Sequence, residues 1–158
     1  MPKTQRRRRR ERKTDYKSRF NLLKSEKPRL VIRKTNRYII MQLVESNIAQ
    51  DKVIVEATSK DLIEKGWPKE KSGSLKSLPA AYLTGYLFVK KIKSKVGEVV
   101  LDTGLQRNVS GSRIYAALKG AIDAGLKSPH NPKSLPDIKR IQSNEKLKTI
   151  FEKVKGAI

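Results

Sequence analysis

The stretch RLVIRKTNRYIIMQLVESNIAQDKVIVEA, residues 29–57, decides the fold. Its opening run places Leu30 and Ile32 on one face, which is typical of a strand whose core side alternates with a more polar side. Residues 37–45 are apolar on both faces and predict a central strand, and residues 52–57 predict a third strand. A Thr-Asn pair between the first two runs suits a hairpin turn. The stretch therefore predicts an antiparallel three-stranded meander.

The segments on either side of the meander predict helices and one further strand. Asp15 provides an N-cap for the first helix, and Pro28 prevents its continuation. The helix that begins at Pro79 has apolar residues on nearly all of its faces, so it is expected to be buried. In chain order, these elements are a short helix within 14–28, a helix over 59–66 capped by Ser59, the helix over 79–93, a strand over 97–103, a helix from Ser110 or Ser112 to Gly125, and an amphipathic helix over 144–156.

These elements add up to an α/β fold with a mixed sheet, in which the meander is followed by helix, strand and helix. A crossover through the apolar helix makes the fourth strand parallel to the third. We expect residues 1–13 to form a basic arm, residues 14–127 the α/β domain, and residues 128–158 an irregular segment with a last helix. The apolar face of that helix is expected to meet the core or a partner.

The net charge of +22 is concentrated near the beginning of the chain. Residues 1–37 carry 16 positive and 3 negative side chains, whereas residues 38–89 carry 6 of each. The arm MPKTQRRRRRERK has too few apolar residues to offset the entropy of ordering, so it is expected to be disordered until a polyanion neutralises it. A solubility tail or a nuclear-import signal remains open as another reading of the arm.

Composition excludes several classes of protein. The chain has no cysteine and one histidine, which excludes a disulfide scaffold, a cysteine zinc site and a multi-histidine metal site. No segment approaches the ~18 apolar residues of a membrane span. The arginines of the arm are not followed by the apolar run of a secretory signal. We therefore expect no membrane partner, and a strongly basic chain of this kind favours a nucleic acid. We also do not expect a homo-oligomer.

A catalytic interpretation rests on acidic residues near strand ends. Asp102 lies at a strand-to-loop junction, and Glu56 lies in the third strand of the meander. Two or three convergent carboxylates would be needed to hold Mg²⁺ in a nuclease. His130 lies in an irregular segment without an obvious nucleophile, and no nucleotide-binding or cofactor-binding motif is present. An Mg²⁺-dependent nuclease is therefore kept only as an alternative, and no cofactor is expected.

The segment 110–113 offers a possible phosphate site. Gly111, Ser112 and Arg113 together present backbone amides, a hydroxyl and a guanidinium at the start of a helix. An ordinary serine-capped helix explains the same residues equally well. The sequence leaves both interpretations open.

Basic residues extend from the arm onto the first hairpin and favour RNA as the partner. Arginine and lysine neutralise phosphates, while an aromatic ring and an amide among them suit stacking and contacts to base edges. Tyr38 is either part of this strip or a core residue. A DNA reader would need a polar recognition helix, whereas the central helices are apolar. The candidate RNA-binding residues are Arg6, Arg7, Arg8, Arg9, Arg10, Arg12, Lys13, Tyr16, Arg19, Arg29, Arg33, Lys34, Asn36, Arg37, Arg107, Gly111, Ser112 and Arg113.

Four blocks of the sequence resemble a known family. TDYKSRFNLLKSEKPRLVIRKTNRYIIMQLV, PAAYLTGYLFVKK, VVLDTGLQRNVSGSRIYAALKGAIDAGL and SPHNP occur in the order found in the archaeal-type large-subunit ribosomal proteins that bind 5S ribosomal RNA. This is the eighteenth family in the universal large-subunit naming. The resemblance covers roughly residues 14–131.

The resemblance implies a structural, non-catalytic protein of the cytoplasmic large ribosomal subunit. Its expected partners are 5S ribosomal RNA, the large ribosomal RNA and neighbouring ribosomal proteins. The family's RNA contacts come from the basic N-terminal part, the adjacent sheet face and the loop-to-helix segment. These correspond here to Arg6–Arg10 and Lys13, to Arg19, Arg29, Arg33 and Asn36, and to Arg107, Ser112 and Arg113. A general RNA chaperone is the alternative within the RNA-binding class.

Overall fold

The computed structural model describes residues 4–47, 50–92 and 96–158. Its centre is a four-stranded mixed sheet with strand order β3-β2-β1-β4. The strands are β1 (Arg29–Lys34), β2 (Ile39–Asn47), β3 (Gln50–Thr58) and β4 (Val100–Asp102). The α-helices are α1 (Arg7–Arg10), α2 (Tyr16–Leu23), α3 (Leu78–Lys91), α4 (Arg113–Asp123), α5 (Ile138–Ile141) and α6 (Glu145–Ala157).

The predicted meander is confirmed. Strand β2 is antiparallel to both β1 and β3, and its register sets Leu30 opposite Leu43. Leu30, Ile32 and Met41 are completely buried, as alternation along the strands requires. The apolar character of both faces of β2 agrees with its position between two other strands.

Strand β4 pairs in parallel with β1, at the sheet edge opposite β3. The sequence predicted a fourth strand parallel to the third, and this direction is confirmed, but it did not predict which strand would pair with β4. Strands β1 and β3 run the same way because both are antiparallel to β2, so direction alone does not choose between the two edges. The amide of Val100 donates to the carbonyl of Pro28 at 3.0 Å, which fixes β4 beside the start of β1.

Helices α3 and α4 pack together over the sheet, and their crossing is very close. A Cβ at Gly85 would lie 2.0 Å from the carbonyl oxygen of Ala117, and one at Gly120 would lie 2.0 Å from that of Tyr82. Each helix therefore presents a glycine to the backbone of the other. Side chains of both helices close the first core over the sheet, including Phe88 and Leu118.

A second core lies around α3 and includes the C-terminal helix. Trp67, Leu83, Phe151 and Val154 are buried together there, and the rings of Tyr82 and Phe151 are 5.5 Å apart. The predicted last helix therefore turns its apolar face to the core of its own chain. Within the described residues, no helix is both long and apolar enough to cross a membrane.

Several local details differ from the sequence predictions. The arm was predicted to be disordered, but its residues 7–10 form one turn of helix held by local backbone hydrogen bonds and without a buried side chain. The predicted helix over 59–66 is a 3₁₀ helix at Ser59–Ile63 capped by Thr58, whose amide and hydroxyl donate to Asp61. Further 3₁₀ helices lie at Lys69–Ser74 and Pro132–Ser134. Lys93 at the end of the predicted helix over 79–93, and residues 1–3 of the arm, lie outside the described residues.

Candidate nucleic-acid interface

The arm lies against helix α2. The guanidinium of Arg6 is 5.0 Å from the ring centre of Tyr16, and Arg8 Nε donates to the hydroxyl of Thr14 at 2.9 Å. Glu11 makes ion pairs with Arg7 and Lys13, all at the surface. Such exposed pairs contribute little to stability, so they compete only weakly with a polyanion for the arginines of the arm.

Helix α2 starts where the sequence predicted. The carboxylate of Asp15 accepts the amides of Lys17 and Ser18 at 3.0 and 3.2 Å, as an N-cap does. The hydroxyl and amide hydrogen bonds from Ser18 lower the pKa of Asp15. The cap orients α2 so that Tyr16 and Phe20 line a groove of about 960 Å³ with the arm. Phe20 is 59% exposed, which is unusual for a phenylalanine and suits a stacking contact.

A second groove of about 570 Å³ runs between the arm, α2 and the end of β1. It is lined by four of the predicted basic residues, namely Arg8, Lys13, Arg19 and Arg33. Two carboxylates, those of Asp15 and Asp102, also line it. The structure therefore brings the arm and the first hairpin together around one surface.

Arg29 does not belong to that surface. The residue is 2% exposed, and its guanidinium contacts Asp102 at 2.8 Å and Asp51 at 2.7 Å. The alternation along β1 placed Arg29 on the outer face of the strand, but there its guanidinium is bound by Ser46, Asp51 and Asp102. The expectation that Arg29 contacts RNA is therefore withdrawn: its charge is buried and already paired, and it links β1 to its neighbours.

Asp51 joins Arg29 to the edge of the candidate surface. Arg19 donates to the second carboxylate oxygen of Asp51 at 2.8 Å. Burial by itself raises the pKa of Asp51, but hydrogen bonds from Ser46, Arg19 and Arg29, with the charge of Arg29, lower it to about 2. Asp51 therefore stays ionised and neutralises part of the charge of Arg19.

Arg33 is held in position by the loop that follows β4. Its Nη1 donates to the carbonyl of Asp102 at 2.6 Å, and its Nη2 contacts the Asp102 carboxylate at 3.0 Å. Gly104 has a φ of +59°, and a Cβ there would lie 2.9 Å from Arg33 Nη2. Glycine at this position thus allows the loop to pass directly over the guanidinium. Arg33 remains partly exposed at the groove.

The turn between β1 and β2 exposes the remaining predicted residues of the hairpin. Lys34, Asn36 and Arg37 are all exposed. Tyr38 is partly buried against the second core, which favours the core alternative for its ring. The side-chain amide of Gln106 binds both the amide and the carbonyl of Lys34, at 2.9 and 2.8 Å. This clamp fastens the 103–112 loop to the end of β1.

A third groove of about 390 Å³ lies at the beginning of α4. It brings together Lys34, Arg107, the segment 111–113 and Arg140. Ser112 occupies the N-cap position, but its side chain makes no capping hydrogen bond. Arg140 is not among the residues predicted from the sequence, because it lies 27 residues after Arg113 in a segment without a recognisable pattern.

The candidate catalytic residues are not assembled into a site. The carboxylate of Asp102 is bound by Arg29, Arg33 and the amide of Gly104, and Glu56 accepts from Gln42 at 2.7 Å. In the parts of the chain that the structure describes, no three histidine, cysteine or acidic side chains converge as metal ligands would. Asp102 is thus explained as the partner of two arginines.

The fold and this surface together define a class: a basic α/β protein with cationic side chains clustered at its surface. Comparison with known proteins gives the family. The family model described as "Ribosomal large subunit proteins 60S L5, and 50S L18" matches residues 2–99 and 93–131. The chain therefore belongs to this family of large-subunit ribosomal proteins.

Individual relatives support the same assignment. "Large ribosomal subunit protein uL18" of Korarchaeum cryptofilum is 51% identical over 149 residues, which cover 94% of this chain and 74% of the relative. The protein of the same name from Methanoculleus marisnigri is 50% identical over 137 residues, covering 86% of this chain and 76% of the relative. These relatives are named as ribosomal proteins and not as enzymes, so the family resemblance found in the sequence is confirmed.

Proposed function

We propose that this chain is a structural constituent of the large subunit of the cytoplasmic ribosome that binds 5S ribosomal RNA. In this role it helps to fix that RNA in the central protuberance, next to the large ribosomal RNA. The four sequence blocks support the choice of RNA, and the family membership supports the ribosomal setting. Neighbouring ribosomal proteins complete the proposed set of partners.

One observation carries this proposal: the basic arm, helix α2 and the end of β1 border shared grooves. Arg8 and Arg19 line both the arm groove and the adjoining one, so the cations form a continuous surface. Clustered cations supply the phosphate contacts that dominate affinity for RNA. Tyr16 and Phe20 add exposed ring surface among them, on which an unpaired base can stack.

The residues that we propose for RNA binding differ from the sequence list at one position. Arg29 is omitted because it is buried, while Arg19 and Arg33 keep a partly exposed guanidinium. The proposed RNA-binding residues are Arg6, Arg7, Arg8, Arg9, Arg10, Arg12, Lys13, Tyr16, Arg19, Arg33, Lys34, Asn36, Arg37, Arg107, Gly111, Ser112 and Arg113.

The proposal is tested by measuring affinity for two RNAs of equal length, 5S ribosomal RNA and an unrelated structured RNA. Filter binding at several salt concentrations separates the general phosphate contribution from specific recognition. We expect the 5S ribosomal RNA to bind more tightly at every salt concentration. Equal affinity for the two RNAs would refute the proposal and favour a general RNA chaperone. Cleavage of either RNA that requires Mg²⁺ would favour the nuclease instead.

A further inference from the structure

The groove at the beginning of α4 contains no carboxylate, unlike the groove between the arm, α2 and the end of β1, which Asp15 and Asp102 also line. It is lined by four cationic side chains and by no acidic one. These cations come from β1, the 103–112 loop, α4 and α5, and they are Lys34, Arg107, Arg113 and Arg140. None of the four makes an ion pair within the described residues. In contrast, Arg19 and Arg33 are each bound to a carboxylate.

The backbone of the same groove offers further donors. The first hydrogen bond of α4 runs from the amide of Ala116 to the carbonyl of Ser112, at 2.9 Å, so the preceding amides of the first turn have no acceptor in the helix. The hydroxyl oxygen of Ser112 is buried and has no hydrogen-bond partner in the described structure. A serine that capped its own helix would use this oxygen. Here the capping interaction is missing, and both the hydroxyl and the helix amides are left for another acceptor.

Arg140 is brought to this site by the backbone of Gly111. The amide of Gly111 donates to the carbonyl of Ser134 at 2.9 Å, which ties the start of α4 to the segment leading to α5. Gly111 has a φ of +67°, and a Cβ there would lie 2.7 Å from Arg140 Nη1. The Arg140 guanidinium therefore lies next to Gly111, close to the N-terminus of α4.

We infer that this groove binds a phosphate of the RNA backbone, and that Arg140 is one of its ligands. A phosphodiester oxygen accepts several charge-assisted hydrogen bonds, which matches the converging guanidinium groups, the serine hydroxyl and the helix amides. Arg140 lies beyond the residues 2–131 that the family model matches, so the C-terminal segment adds a contact of its own to the RNA surface. This phosphate contact rests on the proposed RNA-binding function. It gives the protein a second point of contact with RNA, besides the arm.

The test compares Arg140→Gln with Lys139→Gln, which removes an equal charge from the neighbouring exposed position outside the groove. Binding is measured against salt for 5S ribosomal RNA and for the unrelated structured RNA. We expect Arg140→Gln to weaken binding of both RNAs about tenfold and to reduce the slope of log affinity against log salt by about 0.7–0.9. Arg140→Lys, which keeps the charge, should recover part of the affinity, and Lys139→Gln should leave the slope nearly unchanged.

Equal effects of Arg140→Gln and Lys139→Gln would overturn the inference, provided that thermal unfolding shows both variants folded. The inference would also be overturned if inorganic phosphate, at matched ionic strength, displaced RNA equally well from the parent protein and from Arg140→Gln. The unrelated RNA separates this inference from the proposed function. Absence of a preference for 5S ribosomal RNA would refute the function, while an unchanged slope on both RNAs would refute the phosphate contact.

Discussion

At the scale of single residues, the Arg29–Asp102 pair shows how a charged residue can be structural in a strongly basic protein. Both side chains are buried, and Asp102 also accepts from Arg33 and from the amide of Gly104. A buried charge is costly unless it is paired and hydrogen-bonded, so removing one partner affects stability more than the pair itself contributes. The pair thus holds β4 beside β1 at this edge of the sheet.

The substitution Asp102→Asn should therefore destabilise the protein. Asparagine keeps the size of the side chain but leaves Arg29 with Asp51 as its remaining anionic partner. We expect a loss of about 3 kcal/mol in the free energy of unfolding, measured by urea denaturation followed through the fluorescence of Trp67. Glu98→Gln serves as the control, because the Lys27–Glu98 pair is exposed and should contribute less than about 0.5 kcal/mol. Similar losses in the two variants would contradict this account.

At the scale of secondary-structure elements, the crossing of α3 and α4 depends on two glycines. Gly85 and Gly120 each face a carbonyl of the opposite helix at a distance that a methyl group could not occupy. Glycine inside a helix costs up to about 1 kcal/mol in helix propensity relative to alanine. Here that cost is offset by the close packing of the helices over the first core.

Gly85→Ala should force the two helices apart. Because the added methyl group would meet the backbone at Ala117 and not a flexible side chain, we expect a loss of about 3 kcal/mol in the free energy of unfolding. Gly156→Ala is the matched control: Gly156 also lies in a helix, but nothing is within 4 Å of its added Cβ. That variant should be neutral or stabilised by up to about 1 kcal/mol in thermal unfolding. Equal behaviour of the two variants would show that the crossing tolerates an extra methyl group.

At the scale of the whole molecule, the excess positive charge is shared between the arm, residues 1–13, and the folded body that follows it. Deleting residues 1–13 removes the arginine run but none of the buried core. We expect the truncated protein to bind every RNA more weakly and to show a smaller salt slope, by about 0.7–0.9 for each phosphate that the arm neutralises in the parent protein. Retained far-ultraviolet circular dichroism would show that the body still folds. An unchanged salt slope would mean that the arm points away from the RNA.

The sequence predicted the parts of the molecule that are governed by local patterns. Alternation in residues 29–34 identified β1 and its core face, and Asp15 identified the beginning of α2. Alternation does not say what covers the outer face of a strand, which is why Arg29 was misplaced. The edge chosen by β4 and the position of Arg140 depend on contacts between distant segments. No local pattern in the chain carries that information.

The second core has a consequence for the order in which the chain folds during synthesis. The buried residues of the first core end at Leu126 in the chain, whereas the second core needs Phe151 and Val154 from α6. The sheet, α3 and α4 can thus assemble while the side of α3 that belongs to the second core is still uncovered. Trp67 belongs to this second core together with Phe151 and Val154. We therefore expect α6 to dock after the sheet and the α3–α4 pair have assembled.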